Sequence, residues 1–303
     1  MTAITYGFMI GSPKMDDLFK ALKEDPGMIE RVLNPGKYLH QADPKSLEIH
    51  TMPSGFDCLD RDTMLLKRDE GELIIVCGEA SMGKSSLMLK IAFNVSKDRP
   101  VHIFSLEDSY ESIVRRRVSA MSNITISDIQ RGLNPSLVQS AIDDLKEYNF
   151  FVDDQGGLGI DEICERARNR HRKVKTELIV VDHLQVIGSD PSHSRAQEVG
   201  NMTYKLKALG KELRCPVLLA CQMNRAYAGR ENKKPMLSDL KESSSIEQNS
   251  DIVLSVYREY RHTKLRQFEA DIGVLKNRNG PVSDFVFGFK PSLADFYELD
   301  PGI

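Results

Sequence analysis

No apolar run in this sequence approaches the roughly 18 residues needed to cross a bilayer, and the amino terminus lacks the basic-then-apolar pattern of a secretory leader. The expected location is the cytoplasm, with no membrane partner. Cysteine is sparse: Cys58, Cys77, Cys164, Cys215 and Cys221 form no CxxC pair. Three of them lie in or beside apolar runs, where a reduced thiol behaves as a small hydrophobe. A reducing compartment and no cysteine metal site follow as expectations. Charge of one sign is not in excess either, since 41 Lys and Arg against 44 Asp and Glu leave a net charge of −3. Any nucleic-acid affinity must then come from a local basic surface and not from a whole-protein field. There is no internal repeat and no low-complexity tract. With 41% hydrophobic and 28% charged residues over 303 positions, the composition is that of a globular protein with one large core or two modest ones.

Residues 1 to about 50 differ from the rest, with scattered Gly and Pro and one amphipathic stretch, MDDLFKALKEDPGMIERVL. Leu18, Phe19 and Leu22, then Met28, Ile29 and Leu33 beyond the Pro26-Gly27 break, can line apolar faces of two short helices. From Gly71 onward, β-rich apolar runs alternate with helical segments. The spacing predicts strands at 72–77, 101–106, 150–152, 177–187, 216–221, 251–257, 268–275 and 284–289. It predicts helices over 84–97, 109–121, 135–147, 160–174 and 195–214. Near-continuous Ile, Val and Leu runs imply strands covered on both faces, hence an α/β fold with a mostly parallel sheet flanked by helices. The last strands come without long helices between them, so an antiparallel carboxyl-terminal edge is expected.

Directly after the first strand comes GEASMGKSS, in which Gly78, Gly83, Lys84 and Ser85 satisfy GxxxxGK[ST], and a helical segment follows. Glycines let backbone N–H groups curl around phosphate oxygens, and the helix presents its positive end to the same anion. Ser81, Met82 and Ser86 complete the expected cradle. Lys84 is expected to reach the β- and γ-phosphates of ATP, and the Ser85 hydroxyl to ligate Mg²⁺. A second acidic ligand is expected at the end of a buried strand. LIVVDHLQ supplies Asp182, a carboxylate that four aliphatic residues would bury at a cost unless a cation meets it.

The strand VHIFSL leads to Glu107, which in a parallel sheet lies at the same carboxyl edge as the glycine loop. It is the candidate for activating water, with a helix N-terminal carboxylate beside Ser109 as the alternative. Asp108 would point elsewhere. Gln222 ends PVLLACQ, where it either senses the γ-phosphate or simply closes a strand end by hydrogen bonding. Beyond it, Arg225, Arg230, Lys233 and Lys234 make a basic loop that either tracks a DNA backbone or is solvated. Two further basic runs, Arg115 to Arg117 and the helical face bearing Arg166, Arg170 and Lys173, read first as solvated faces. His183 reads as a neutral histidine packed at a strand end.

Six blocks in order resemble DnaB-like replicative helicases over roughly residues 51 to 299: PSGFDCLD, EASMGKSS, FSLE, IVVDHLQ, ACQMNR with KKPMLSDLKESSSIEQNSDIVLSVYR, and KNRNGP. The resemblance implies a RecA-like P-loop core and an ATP-driven 5′-to-3′ DNA helicase, assembled as a hexameric ring around single-stranded DNA in a bacterial or phage-infected cell. It implies that ATP lies between subunits, that Arg278 is an arginine finger supplied to the neighbour's γ-phosphate, and that Lys276 assists. Without the family, Lys276 and Arg278 are alternate residues leaving a strand before a turn, and read as a solvated pair. A DNA-binding channel loop is implied within DLKESSSIEQ, where Lys241 stands for the family's usual arginine, Glu242 matches, and Ser244 stands for its usual glycine. Lysine meets a phosphate as a point charge, without the fork of a guanidinium. The resemblance also implies primase and a helicase loader as partners. About 50 residues precede the motor here, where the family commonly has a large helical domain. The expected organisation is an arm at 1–50, with LFKAL as a linker helix, and a motor domain at 51–303. The competing class is a RecA-like recombination or helicase-loading ATPase that does not unwind DNA.

Overall fold

In the computed structural model the chain divides into two units, Met1–Ile49 and His50–Ile303. The described residues are 49–188, 194–223, 229–230, 232–240 and 244–299. The amino-terminal stretch containing LFKAL lies outside them.

The second unit is built on one nine-stranded sheet in the order β3-β2-β4-β5-β1-β6-β7-β8-β9. Its strands are β1 (Leu73–Gly78), β2 (Val101–Ser105), β3 (Phe150–Asp153), β4 (Leu178–Asp182) and β5 (Val217–Gln222). The remaining four are β6 (Ile252–Tyr257), β7 (Glu269–Asn277), β8 (Asp284–Lys290) and β9 (Asp295–Glu298). Strands β1 to β6 pair in parallel, and β7 to β9 add an antiparallel edge.

The parallel strands read as unbroken apolar runs because both faces are covered. Ile74 and Val76 of β1 enter a core with Leu87, Met88 and Ile91 of the helix Lys84–Val95 (α2). Leu73, Ile75 and Cys77 enter a second core on the opposite face. There they meet Ile163 and Ala167 of Ile160–Lys173 (α6) and Leu206 and Leu209 of Arg195–Leu213 (α7). The first face is completed by Tyr110–Ser122 (α3), Ile126–Gln130 (α4) and Pro135–Leu145 (α5). The period-2 alternation of a strand therefore feeds two cores at once.

Two short elements escape the periodicity. The helix Asp57–Thr63 (α1) is capped from far along the chain, by Glu298 carboxylate oxygens that accept from the Asp57 and Cys58 N–H groups at 2.9 and 2.8 Å. Strand β9 holds only four residues, of which Phe296 is the buried anchor. All five cysteines are free thiols, four of them buried. Burial pushes the Cys58 thiol up to about 12 and Cys164 to about 11, so these are packing groups and not nucleophiles. Among the described residues no helix is long and apolar enough to cross a membrane.

Candidate ATPase site

The site lies along the carboxyl edge of the parallel strands. Register sets Gly78 opposite Gln222 and Ser105 opposite Asp182, so the ends of four strands reach one level. The loop leaving β1 is forced into a concave path by left-handed backbone at Ser81 (φ 62°) and Gly83 (φ 106°). Such alternation turns successive N–H groups toward one centre. Gly83 has no room for a side chain, because a Cβ there would sit 3.0 Å from the Phe296 ring. Gly78 is equally constrained, with the Val256 carbonyl oxygen 2.7 Å from where its Cβ would be. Met82 points into the core at 1% exposure, so only its backbone remains for binding.

Helix α2 starts at Gly83 with no side-chain cap and no acidic residue in its first turn. Its leading N–H groups are left for an external anion. The Lys84 ammonium rests on the Glu79 carbonyl at 3.0 Å and makes no ion pair among the described residues. Burial pulls its pKa down, opposed by the Asp182 carboxylate. A buried cation without a paired anion, beside open helix N–H groups, fits a polyphosphate.

Asp182 is the complementary case. Burial pushes its pKa up, and a hydrogen bond from Ser85 pulls it back. A carboxylate and a hydroxyl held together in a low-dielectric corner fit a hard divalent cation. Among the described residues, no three His, Cys, Asp or Glu groups converge on a metal site. The remaining ligands would have to come from phosphate oxygens and water, which is the habit of Mg²⁺.

Glu107 projects from the same edge with its side chain 61% exposed, and the His183 Nδ1 lies 3.4 Å from its carboxylate. His183 itself is 13% exposed, packed at the strand end as expected, and the Asp182–His183 peptide is cis. Asp108 is turned away, bound to Arg116 at 2.8 Å, while Ser109 caps α3 by accepting from the Ser112 N–H. Gln222 is exposed beside the loop. Its backbone is clasped by Gln185, whose side-chain oxygen accepts from the Gln222 N–H at 3.0 Å and whose amide donates to its carbonyl at 3.2 Å. Sequence reasoning does not single out Gln185; its only signal is its place three residues after Asp182.

Lys276 and Arg278 stand apart from this cluster. Arg278 follows β7 at the opposite edge of the sheet, where Asp251 joins three elements. The Asp251 carboxylate accepts from the Leu73 N–H at 2.8 Å at the start of β1 and pairs with Lys207, and its carbonyl accepts from the Arg278 N–H at 2.9 Å. The guanidinium is 69% exposed, 3.7 Å from the same carboxylate. A six-residue strand separates this edge from the glycine loop, a span of roughly 17–20 Å. Lys276 departs from the expected solvated pair. Its ammonium donates to the Glu247 and Ser250 carbonyls at 2.5 and 2.6 Å, closing the end of the helix Ser244–Asn249 (α8).

Of the expected DNA contacts, Arg225, Lys241 and Glu242 lie outside the described residues. Ser244 is exposed at the start of α8. Arg230 is not the free cation expected: it meets the buried Asp239 carboxylate at 2.6 Å and the Lys234 carbonyl at 3.2 Å. Lys234 pairs with Asp271 at 2.9 Å. These charges brace the loop internally because buried carboxylates are within reach. Arg117 is likewise internal, between the Phe93 and Tyr148 rings at 5.2 and 5.4 Å.

A doubly covered parallel sheet, with a glycine loop and a buried acidic strand end at its carboxyl edge, defines a P-loop ATPase with a RecA-like core. The chain belongs to the DnaB-like helicase C terminal domain family, whose model matches residues 51–298. It is 34% identical over 301 residues to the replicative DNA helicase DnaB of Geobacillus stearothermophilus, covering 96% of this chain and 64% of that protein. It is 35% identical over 263 residues to the replicative DNA helicase DnaC of Bacillus subtilis strain 168, covering 84% and 58%. The chain thus spans about three-fifths of the curated relatives it matches. Among solved structures, an ATPase domain determined on its own superposes with TM-score 0.79 at 26% identity, covering 91% of this chain and all of that one. A DnaB-like replicative helicase, described with its interactions with primase, superposes with TM-score 0.78 at 28% identity, covering 89% and 66%.

Proposed function

We propose that this chain is the motor of a replicative DNA helicase, a hexameric ring that hydrolyses ATP, moves 5′-to-3′ on single-stranded DNA and parts the duplex. One observation carries the reading. Arg278 is an exposed guanidinium at the sheet edge opposite its own glycine loop, so the phosphate it can meet is one held by another copy. Supplied in trans, such a charge makes hydrolysis depend on the ring.

Within one chain, Gly78, Ser81, Met82, Gly83 and Ser86 form the cradle and Lys84 brings charge to the β- and γ-phosphates. Ser85 and Asp182 would hold Mg²⁺, which neutralises phosphate charge when bound. Glu107 accepts the proton of the attacking water, with His183 steadying its carboxylate. Gln222, clasped by Gln185, is suited to report loss of the γ-phosphate to the loop beyond it. Lys276 holds α8 in place for Arg278, and Lys241, Glu242, Ser244 and Arg225 carry the DNA strand, with Arg230 bracing their loop. The arm at 1–50 packs on a neighbour, and primase and a helicase loader join the ring in the cytoplasm of a bacterial or phage-infected cell.

The test is unwinding of a forked substrate by wild type, Glu107→Gln and Arg278→Ala. Strand displacement by wild type is expected to fall at least a hundredfold in both variants. Closed rings that hydrolyse ATP but never displace a strand would instead favour a recombination or loading ATPase.

A further inference from the structure

The ATPase reading leaves unused the basic face of α6. Arg166, Arg170 and Lys173 follow at helical spacing and line a surface cavity whose other wall is His102 of β2 with Phe151 and Asp153 of β3. Arg166 is already committed, its guanidinium 3.0 Å from the Asp153 carboxylate and 2.7 Å from Glu162. Arg170 and Lys173 make no ion pair among the described residues. The Arg170 guanidinium rests 3.4 Å from the centre of the Phe151 ring, a contact it can leave without abandoning a carboxylate. The cavity therefore has two cations in excess of Asp153.

His102 is the second observation. It is 1% exposed, and neither ring nitrogen has a hydrogen-bond partner. Native interiors seldom leave such atoms unpaired. Burial holds the ring neutral, with its pKa down at about 4, so it brings one N–H donor and no charge of its own. Both nitrogens are covered, and an occupant reaches them once Arg170 swings off Phe151.

We propose that this cavity binds a phosphate oxyanion, gripped by Arg170 and Lys173 from the helix and by the His102 ring N–H from the sheet. Donors arriving from two elements suit a tetrahedral group with several acceptor oxygens better than a planar carboxylate. The site is separate from the chain's own ATP cradle: β3 is the outermost strand, four positions from β1, a distance of roughly 19 Å. The phosphate belongs either to a free polyphosphate or to a nucleic-acid backbone.

Calorimetric titration of the full chain with pyrophosphate, after the cradle is filled with Mg²⁺ and ADP, tests this. One further binding event is expected, weakened at least tenfold in Arg170→Ala/Lys173→Ala and severalfold in His102→Phe, with DNA-free ATPase unchanged in both. Should His102→Phe fail to fold, the surface pair alone decides. A single-stranded oligonucleotide that displaces pyrophosphate identifies the backbone as the source, and one that does not identifies free polyphosphate. The proposal is overturned if wild type shows no second event, if the double variant binds as tightly, or if malonate binds as well as pyrophosphate.

Discussion

His102 carries its burial as a pH dependence. Its pKa in the folded chain is about 4, against an ordinary 6.5. Above pH 6.5 the ring is neutral in both states and contributes no difference. Between about 6.5 and 4 the unfolded chain takes up a proton that the folded chain refuses, so stability falls as pH falls, by up to about 3 kcal/mol. Urea unfolding of wild type and His102→Phe at pH 7 and pH 4.5 isolates this effect. The variant should lose less stability between the two values, and equal losses would mean that the imidazole is protonated in place. Lys84 and Asp182 show the same physics with a functional end, for each is a charge that burial disfavours and that a bound partner would relieve.

At the scale of elements, the start of β1 is held by a buried ion pair, Lys67 to Glu72 at 2.8 Å, with side chains 2% and 5% exposed. Glu72 also accepts from the Asn279 amide at 3.3 Å, tying the turn that follows Arg278 to the strand that leads to the cradle. Lys67→Met strands the carboxylate and should cost about 3–5 kcal/mol, whereas Lys67→Met/Glu72→Leu should recover most of that loss. Thermal unfolding of both variants measures it, and equal destabilisation would show that packing, not charge pairing, holds the corner.

Elements with strong periodicity are legible in the sequence. Eight strands and five helices stand where apolar spacing puts them, with ends moved by a few residues. The run 177–187 is a strand only to Asp182, after which the chain turns through a 3-10 helix, Leu184–Val186. The strand Asp295–Glu298 escapes a sequence reading because DFYE offers two apolar residues in four, and its partner strand decides its state. Motif spacing likewise exposes Lys84, Ser85, Asp182 and Glu107, all set by local chain geometry. The roles of Lys276 and Arg230 are hidden, since their partners Glu247 and Asp239 lie 29 and 9 residues away. Their meeting depends on the tertiary fold.

For the whole molecule, the sheet separates two halves of one chemistry. The cradle occupies its carboxyl edge and Arg278 the opposite edge, so a lone chain holds both groups and cannot bring them to one phosphate. A head-to-tail interface resolves this, and closes when the rotation between copies completes a ring. The most direct measurement is ATPase activity on mixing Lys84→Ala, which lacks the cradle lysine, with Arg278→Ala, which lacks the guanidinium. Each variant alone should be nearly inactive. An equal mixture, after subunit exchange, should recover activity towards about a quarter of wild type, because in a random head-to-tail ring one interface in four pairs an intact cradle with an intact guanidinium. Wild-type turnover by Arg278→Ala alone, or a mixture no more active than its parts, would contradict the account.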